Sequence, residues 1–333
     1  MISTKIVILF LTCLLMISCN HTEVPDKTIE LSPVKEIILN EVYNPYQMSI
    51  GNEGNLFILD QADHSVKIFT PDGELIRTAG GKGSGPGEFE NPMSLGVGAG
   101  LFVVGESLGK FSVFSDDGTF LYAFQTDPPI GHLNADVRIM ADSSLIIGGA
   151  GVGTTTDGSV SYKLVHTFSI DGIHRSSYFP FSEIAVTLNL GGFYGASIAI
   201  GKGDRIYTVQ PMEYLIGIFT SDGVFVDKFE NVPDYFRTIH EPMPQGGDIS
   251  EWAGTFDTIT GIFVVDDNYI AVGVRHKGEN IIEILDKTYG KTTARIETHE
   301  RLNYIDRDGL FYFASPLADE PVTVLEVYEL SGV

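Results

Sequence analysis

FTPDGELI (69–76), FSDDGTFL (114–121), FSIDGIHR (168–175) and FTSDGVFV (219–226) are four copies of one pattern. In each, Asp and Gly fall three and four residues after a Phe: Asp72-Gly73, Asp117-Gly118, Asp171-Gly172 and Asp222-Gly223. Asp-Gly between alternating apolar residues signals a hairpin, and a type I′ turn needs positive φ at both central positions. The spacing therefore predicts a type I′ hairpin at each copy. Upstream, Phe57, Phe102 and Tyr207 stand 12 residues before Phe69, Phe114 and Phe219. Each copy thus closes a meander of short antiparallel strands.

Working outward, two further copies are degenerate. One runs through 262–274 and 280–297, with Leu285 in the place of the Phe and Tyr289-Gly290 in the turn. The other runs through 303–315 and 322–330, where the chain stops after a third strand. The four clear copies are spaced by 45, 54 and 51 residues, the period of a four-stranded propeller blade rather than of an α-solenoid. The strand missing from the last unit has a donor in 29–39 (IELSPVKEIIL), which precedes the first unit and has no other partner. A propeller must join its ends or leave two bare strand edges. The expected fold is all-β: a six-bladed β-propeller of four-stranded antiparallel blades over 29–330, closed by an N-terminal strand that completes the last blade.

Composition narrows the function. The 333 residues are 43% hydrophobic and 20% charged, with 37 glycines, as many short strands and tight turns require. The formal charge of −23 opposes a phosphate backbone, so a nucleic-acid partner is excluded, and so is adsorption to anionic lipid through basic residues.

Residues 1–19 differ from the rest. Lys5 is followed by a 12-residue apolar run (6–17) and then Ser18-Cys19, the proportions of a signal peptide and too short for a transmembrane helix. The end, Met16-Ile17-Ser18-Cys19, resembles the lipobox of bacterial lipoproteins, which implies lipidation at Cys19. Only Cys13 and Cys19 occur, so cleavage before Cys19 would leave no disulfide partner. Residues 20–28 read as a polar tether. The expected location is the cell envelope, exported and held to a membrane by the lipid alone, on its periplasmic or outer-surface face.

The stretch GGKGSGPGEFENPMSLGV (80–97) combines a Gly-rich turn, Gly85-Pro86-Gly87, Phe89 and then Pro92 entering a strand. It is similar to the inter-blade signature of NHL-type propellers. With the leader, the whole chain resembles the NHL-like six-bladed propeller lipoproteins of Bacteroidetes-type bacteria, although the Gly-Pro-Gly element occurs once. The resemblance implies a fold and little chemistry, because propellers host many functions.

Two motifs that suggest chemistry dissolve in this context. In 80–87, Lys82 is followed by Gly83, not by the Ser or Thr of a phosphate-binding loop, and a strand follows, not a helix. Gly105-Glu106-Ser107-Leu108-Gly109 matches a nucleophile elbow but falls between two strands of one blade. The eight His residues show no ligand spacing. No cofactor is expected, and calcium on acidic turns is the one ion left open. Counting back from the second-strand aromatics aligns Ser49, Ser94, Arg138, Ser197, Ile262 and Asn303 as a ring on the channel. Arg138, with Asn303, reads as a carboxylate- or phosphate-binding group; it reads equally as a partner of Asp136 or Asp142. The long connection 227–258 carries Arg237, His240 and the single Trp, Trp252, which suit either a binding lid or a fastening for the loop itself. The balance favours a monomeric, non-catalytic envelope propeller that binds a protein, peptide or glycan at its channel mouth and this loop. The alternative is a channel-centred hydrolase or lyase of the lactonase or amidating-lyase kind.

Overall fold

The structure, a computed structural model, describes residues 29–332 except 128, 152–162, 191–194, 245, 247 and 319. The N-terminal leader, Cys19 and the tether 20–28 lie outside the described residues.

Six four-stranded antiparallel sheets follow one another. Blade one is β2 (Pro45–Ile50), β3 (Leu56–Asp60), β4 (Ser65–Phe69) and β5 (Leu75–Gly80); blade two is β6 (Pro92–Gly98), β7 (Leu101–Glu106), β8 (Lys110–Ser115) and β9 (Phe120–Gln125). Blade three is β10 (Ile130–Ile139), β11 (Leu145–Gly151), β12 (Lys163–Phe168) and β13 (His174–Pro180). Blade four is β14 (Ser197–Gly201), β15 (Arg205–Gln210), β16 (Glu213–Phe219) and β17 (Phe225–Phe229). Blade five is β18 (Thr258–Val264), β19 (Tyr269–His276), β20 (Glu279–Asp286) and β21 (Thr292–Thr298). Blade six is β22 (Leu302–Ile305), β23 (Leu310–Pro316) and β24 (Val322–Ser331), and its fourth strand is β1 (Glu30–Asn40), in the order β1-β24-β23-β22. The N-terminal strand therefore closes the ring, pairing from Glu30–Ser331 to Asn40–Val322.

The cores lie between blades. Phe57 of blade one meets Phe102 of blade two at 5.5 Å, and Phe102 stacks on Phe114 at 4.7 Å. Because each blade is covered on both faces, its middle strands read as continuous apolar runs: every residue of β3 and β4 is buried. The outermost strands are mostly open to solvent, as β5 and β17 are, or alternate, as β9 does.

The Asp-Gly hairpins form, but not as type I′ turns. Gly73, Gly118, Gly172 and Gly223 have φ between 86° and 89°, while none of the preceding Asp residues has positive φ. Gly73 N–H donates back to Thr70 O, Gly223 N–H to Thr220 O, and a bulge follows at Phe69 and at Phe219. This is a type I turn ending in a left-handed glycine and bulge, one residue longer than a type I′ loop. The Asp side chain works within the loop: Asp117 Oδ1 accepts from Ser115 Oγ at 2.6 Å and from Thr119 N at 2.9 Å. The turns also dock blade to blade. A Cβ on Gly223 would stand 2.5 Å from the Tyr178 ring of blade three.

A recurring clamp holds the connections that lead into the blades. The last residue of a second strand captures backbone N–H groups of the incoming segment: Asp60 those of Tyr43 and Asn44, Glu106 those of Glu90 and Asn91, Gln210 that of Ser182. Lys67, itself buried, neutralises Asp60 and Asp63 at 2.7 Å each. Burial pushes the Asp60 carboxyl up, but Lys67 and the Tyr43 and Ala62 N–H groups outweigh it and hold it below the usual carboxylate range.

Candidate functional site

Each blade begins with its innermost strand, so the starts of β2, β6, β10, β14, β18 and β22 surround one end of the axis, the upper mouth, and their ends surround the lower mouth. A cavity of about 180 Å³ occupies the upper mouth. Its polar lining includes Tyr46, Asp136, Arg138, Ser197, Arg301 and Asn303. Asp136 and Arg138 face the same way because they are two apart on β10, and Arg301, just before β22, and Asn303, at the irregularity within it, reach the same cavity.

These side chains stitch neighbouring blades. Asp136 Oδ2 accepts from Ile198 N at 3.0 Å and from Ser197 Oγ at 3.3 Å, and Ser197 Oγ accepts from Ile262 N at 3.2 Å. Gln47 Oε1 accepts from Leu95 N at 2.7 Å, joining blade one to two, and Arg301 Nη2 donates to Thr260 O at 2.7 Å, joining six to five. Asn303 Oδ1 accepts from Ala314 N at 2.7 Å within its own blade.

The two guanidiniums differ. Arg138 Nη1 is bound to Asp136 at 2.5 Å and donates to Val137 O at 3.2 Å, and its Nε donates to Ile198 O at 3.0 Å, so that one edge of the fork is committed. Arg301 faces no carboxylate at ion-pair distance among the described residues, and one hydrogen bond to Thr260 O leaves most of its five donors for the cavity. Burial, aggravated by Arg275, lowers its pKa despite Tyr46 and Asp136, although the residue is exposed at the rim of the mouth. Burial also raises Asp136 in spite of Arg138. Among the described residues, Asp136 is the single acidic side chain in the lining.

Below, a second cavity of about 1050 Å³ opens at the lower mouth, where Lys202 pairs with Asp267 at 2.7 Å. Arg138, Phe263 and Tyr304 line both cavities and form the neck between them. Among the described residues no group of three or more His, Cys, Asp or Glu is gathered to hold a metal ion.

Of the residues singled out in the sequence, Arg138 and Asn303 come together at the upper mouth. Arg237, His240 and Trp252 do not line that cavity. Arg237 is committed to Asp257, at 3.0 Å from Nε and 2.6 Å from Nη2, and Asp257 also receives His276 at 2.7 Å. Trp252 is buried in α2 (Ile249–Ala253), donates to Glu241 O at 3.1 Å and packs on Phe256 at 4.9 Å in the core between blades three and four. His240 is exposed. Within the ring, Ser197 and Asn303 line the upper cavity and Arg138 lines both cavities, whereas Ser49 and Ser94 are buried within their blades and Ile262 faces the lower mouth. A fixed count from the second strand fails because the first turn of a blade spans 51–55 in blade one and 99–100 in blade two, and because bulges interrupt β2, β6 and β18. Arg301 was missed because it precedes its strand, outside the alternation.

Comparison with known proteins supports the fold. A family model described as a 6-bladed beta-propeller matches residues 39–127, the first two blades. No curated protein matches the chain. Among solved structures, a member of the DUF4221 family from Bacteroides vulgatus is similar over 92% of this chain and 100% of its own, with TM-score 0.62 and 12% identity. A protein of Bacteroides fragilis described as exported covers 92% and 97%, with TM-score 0.58 and 17% identity. An inactive variant of virginiamycin B lyase from Staphylococcus aureus covers 91% and 89%, with TM-score 0.53 and 13% identity. At these identities the likeness is one of fold.

Proposed function

We propose that the protein is an exported, lipid-anchored binding propeller of the cell envelope whose upper mouth receives the anionic end of a partner protein, peptide or glycan. The observation that carries this reading is Arg301, an exposed guanidinium with unused donors at the rim of the mouth, beside Arg138 in a cavity whose described lining holds one carboxylate, within a chain of charge −23. A planar fork of N–H groups matches a carboxylate or phosphate bidentately. The 180 Å³ volume suits one terminal group rather than a whole drug-sized ligand. The leader and lipobox-like Cys19, together with the likeness to a Bacteroides protein described as exported, support the location.

The test is calorimetric titration of two matched pairs of probes: a tripeptide and its C-terminal amide, and a galacturonic acid oligomer and its methyl ester. The charged member of at least one pair binds, its neutral counterpart does not, and Arg301→Ala weakens binding by about tenfold or more, as expected when a charge-assisted hydrogen bond is removed. Equal binding of charged and neutral members, or binding unchanged in Arg301→Ala, overturns the reading. For the anchor, Cys19→Ser releases the protein from membranes; membrane fractionation without an acyl chain on Cys19 overturns that part.

A further inference from the structure

On the flank of blade three, away from the channel, two histidines, a serine and a carbonyl form one hydrogen-bonded chain. His166 of β12 lies opposite Ser177 of β13, which places both side chains on one face. Ser177 Oγ is 2.8 Å from His166 Nδ1, and His166 Nε2 is 3.1 Å from the carbonyl oxygen of Gly149 on β11. A carbonyl only accepts, so Nε2 carries the hydrogen. Burial, opposed by the Gly149 and Lys163 carbonyls and reinforced by His174, holds the His166 imidazole down at about 4. The neutral ring then presents Nδ1 as a bare lone pair, and the Ser177 hydroxyl donates to it. On its other side Ser177 Oγ receives His174 Nε2 at 2.7 Å.

Access is one-sided. His166 is 3% exposed, Ser177 is half-buried and His174 is exposed. Phe168, two residues along β12 from His166, belongs to the core between blades two and three and meets the His174 ring edge-on at 5.3 Å. The serine thus opens beside His174, on the outer flank of the blade. A hydroxyl held by a fixed, neutral imidazole whose second nitrogen is tied to an acceptor is the arrangement of a nucleophile with its base and the group that orients the base.

We propose that Ser177 is a nucleophile, with His166 as its base, that takes acyl groups from small esters reaching this flank. Attack forms the bond from Oγ to the acyl carbon as the ester C–O bond breaks. The hydroxyl proton passes to His166 Nδ1 and then to the departing alkoxide. Water hydrolyses the acyl-serine, releasing the acid and restoring the hydroxyl. His174 Nε2, already on Oγ, is the donor nearest the reacting oxygen.

The test is labelling of the full chain with a fluorophosphonate, in which Oγ bonds to phosphorus, fluoride leaves and the proton goes to His166. Peptide mass mapping locates the adduct. The expected result is an adduct on Ser177 that forms roughly 100-fold faster than in the heat-unfolded chain, is absent in Ser177→Ala and slows by about 100-fold in His166→Gln. Since a buried substitution can disturb the fold, the native chain supplies an independent readout in its pH profile. Labelling stays level from pH 9 to 6 and declines below about 5 as Nδ1 takes up a proton. No adduct on Ser177, or a rate rising about tenfold per pH unit from 6 to 9 as for an unassisted hydroxyl, overturns the proposal.

Discussion

His166 couples the acid stability of the molecule to one ring. Its pKa lies near 4 in the fold and near 6.5 when unfolded, because burial disfavours the charged form. A depressed value stabilises the fold fully above pH 6.5, and that contribution is lost as pH falls through 6.5 towards 4. At about 1.4 kcal/mol per pH unit, the loss over this window is roughly 3 kcal/mol. Urea unfolding at pH 7.5 and pH 4 checks it: the native chain loses roughly 3 kcal/mol more than His166→Gln does. Asp60 and Asp257 are also depressed, each raised by burial but lowered further by its hydrogen-bonded partners. Their contributions hold above about pH 3.8 and fade below it in both proteins, so they cancel in the difference. The residue scale is also where the sequence is least legible. Asp136, Arg138 and Asn303 lie on strands whose alternation can be read, so they are found to within two positions. Arg301 sits just before its strand, outside the alternation, and the His166–Ser177 contact depends on the register of β12 against β13, which turn length and bulges decide.

At the scale of elements, the hairpin turns separate two geometries that share the Asp-Gly signature. In a type I′ turn both residues need positive φ, so Ala would be costly at either. Here only the glycine carries positive φ and close approach, to the Tyr178 ring in the case of Gly223. Gly223→Ala is expected to lower stability by roughly 1–3 kcal/mol and Asp222→Ala by about 1 kcal/mol or less, read from urea midpoints at constant slope. Equal losses would restore the type I′ description. The connection 230–257 teaches a related lesson. Its aromatics and arginine were equally readable as lid or fastening. In the fold Trp252 and Phe256 fill the core between blades three and four, Phe236 fills that between four and five, and Arg237 locks onto Asp257. Composition alone cannot separate a docked loop from a binding one, because both use large apolar side chains with one polar tip.

The whole molecule is a ring, and rings are readable because their parts repeat. The Phe-x-x-Asp-Gly period, the unfinished last blade and the spare strand 29–39 give the blade number and the closure without any side-chain contact. The closure is also the seam. Removing 29–40 leaves β24 with an unpaired edge and strips Ile37 and Leu39 from the core between blades six and one. A chain so shortened is expected to lose its single cooperative unfolding transition and to be cut by protease within 302–331 first, as limited proteolysis with mass mapping would show. Intact two-state unfolding would mean that the ring does not depend on its seam. The seam has a direction as well. β1 starts beside Ser331 and runs towards β2, whose first residues border the upper mouth, so Glu30 lies at the opposite rim. Under the proposed anchoring, the tether 20–28, nine residues and up to about 32 Å when taut, would join the disc at this lower rim and leave the arginine-bearing mouth facing away from the membrane.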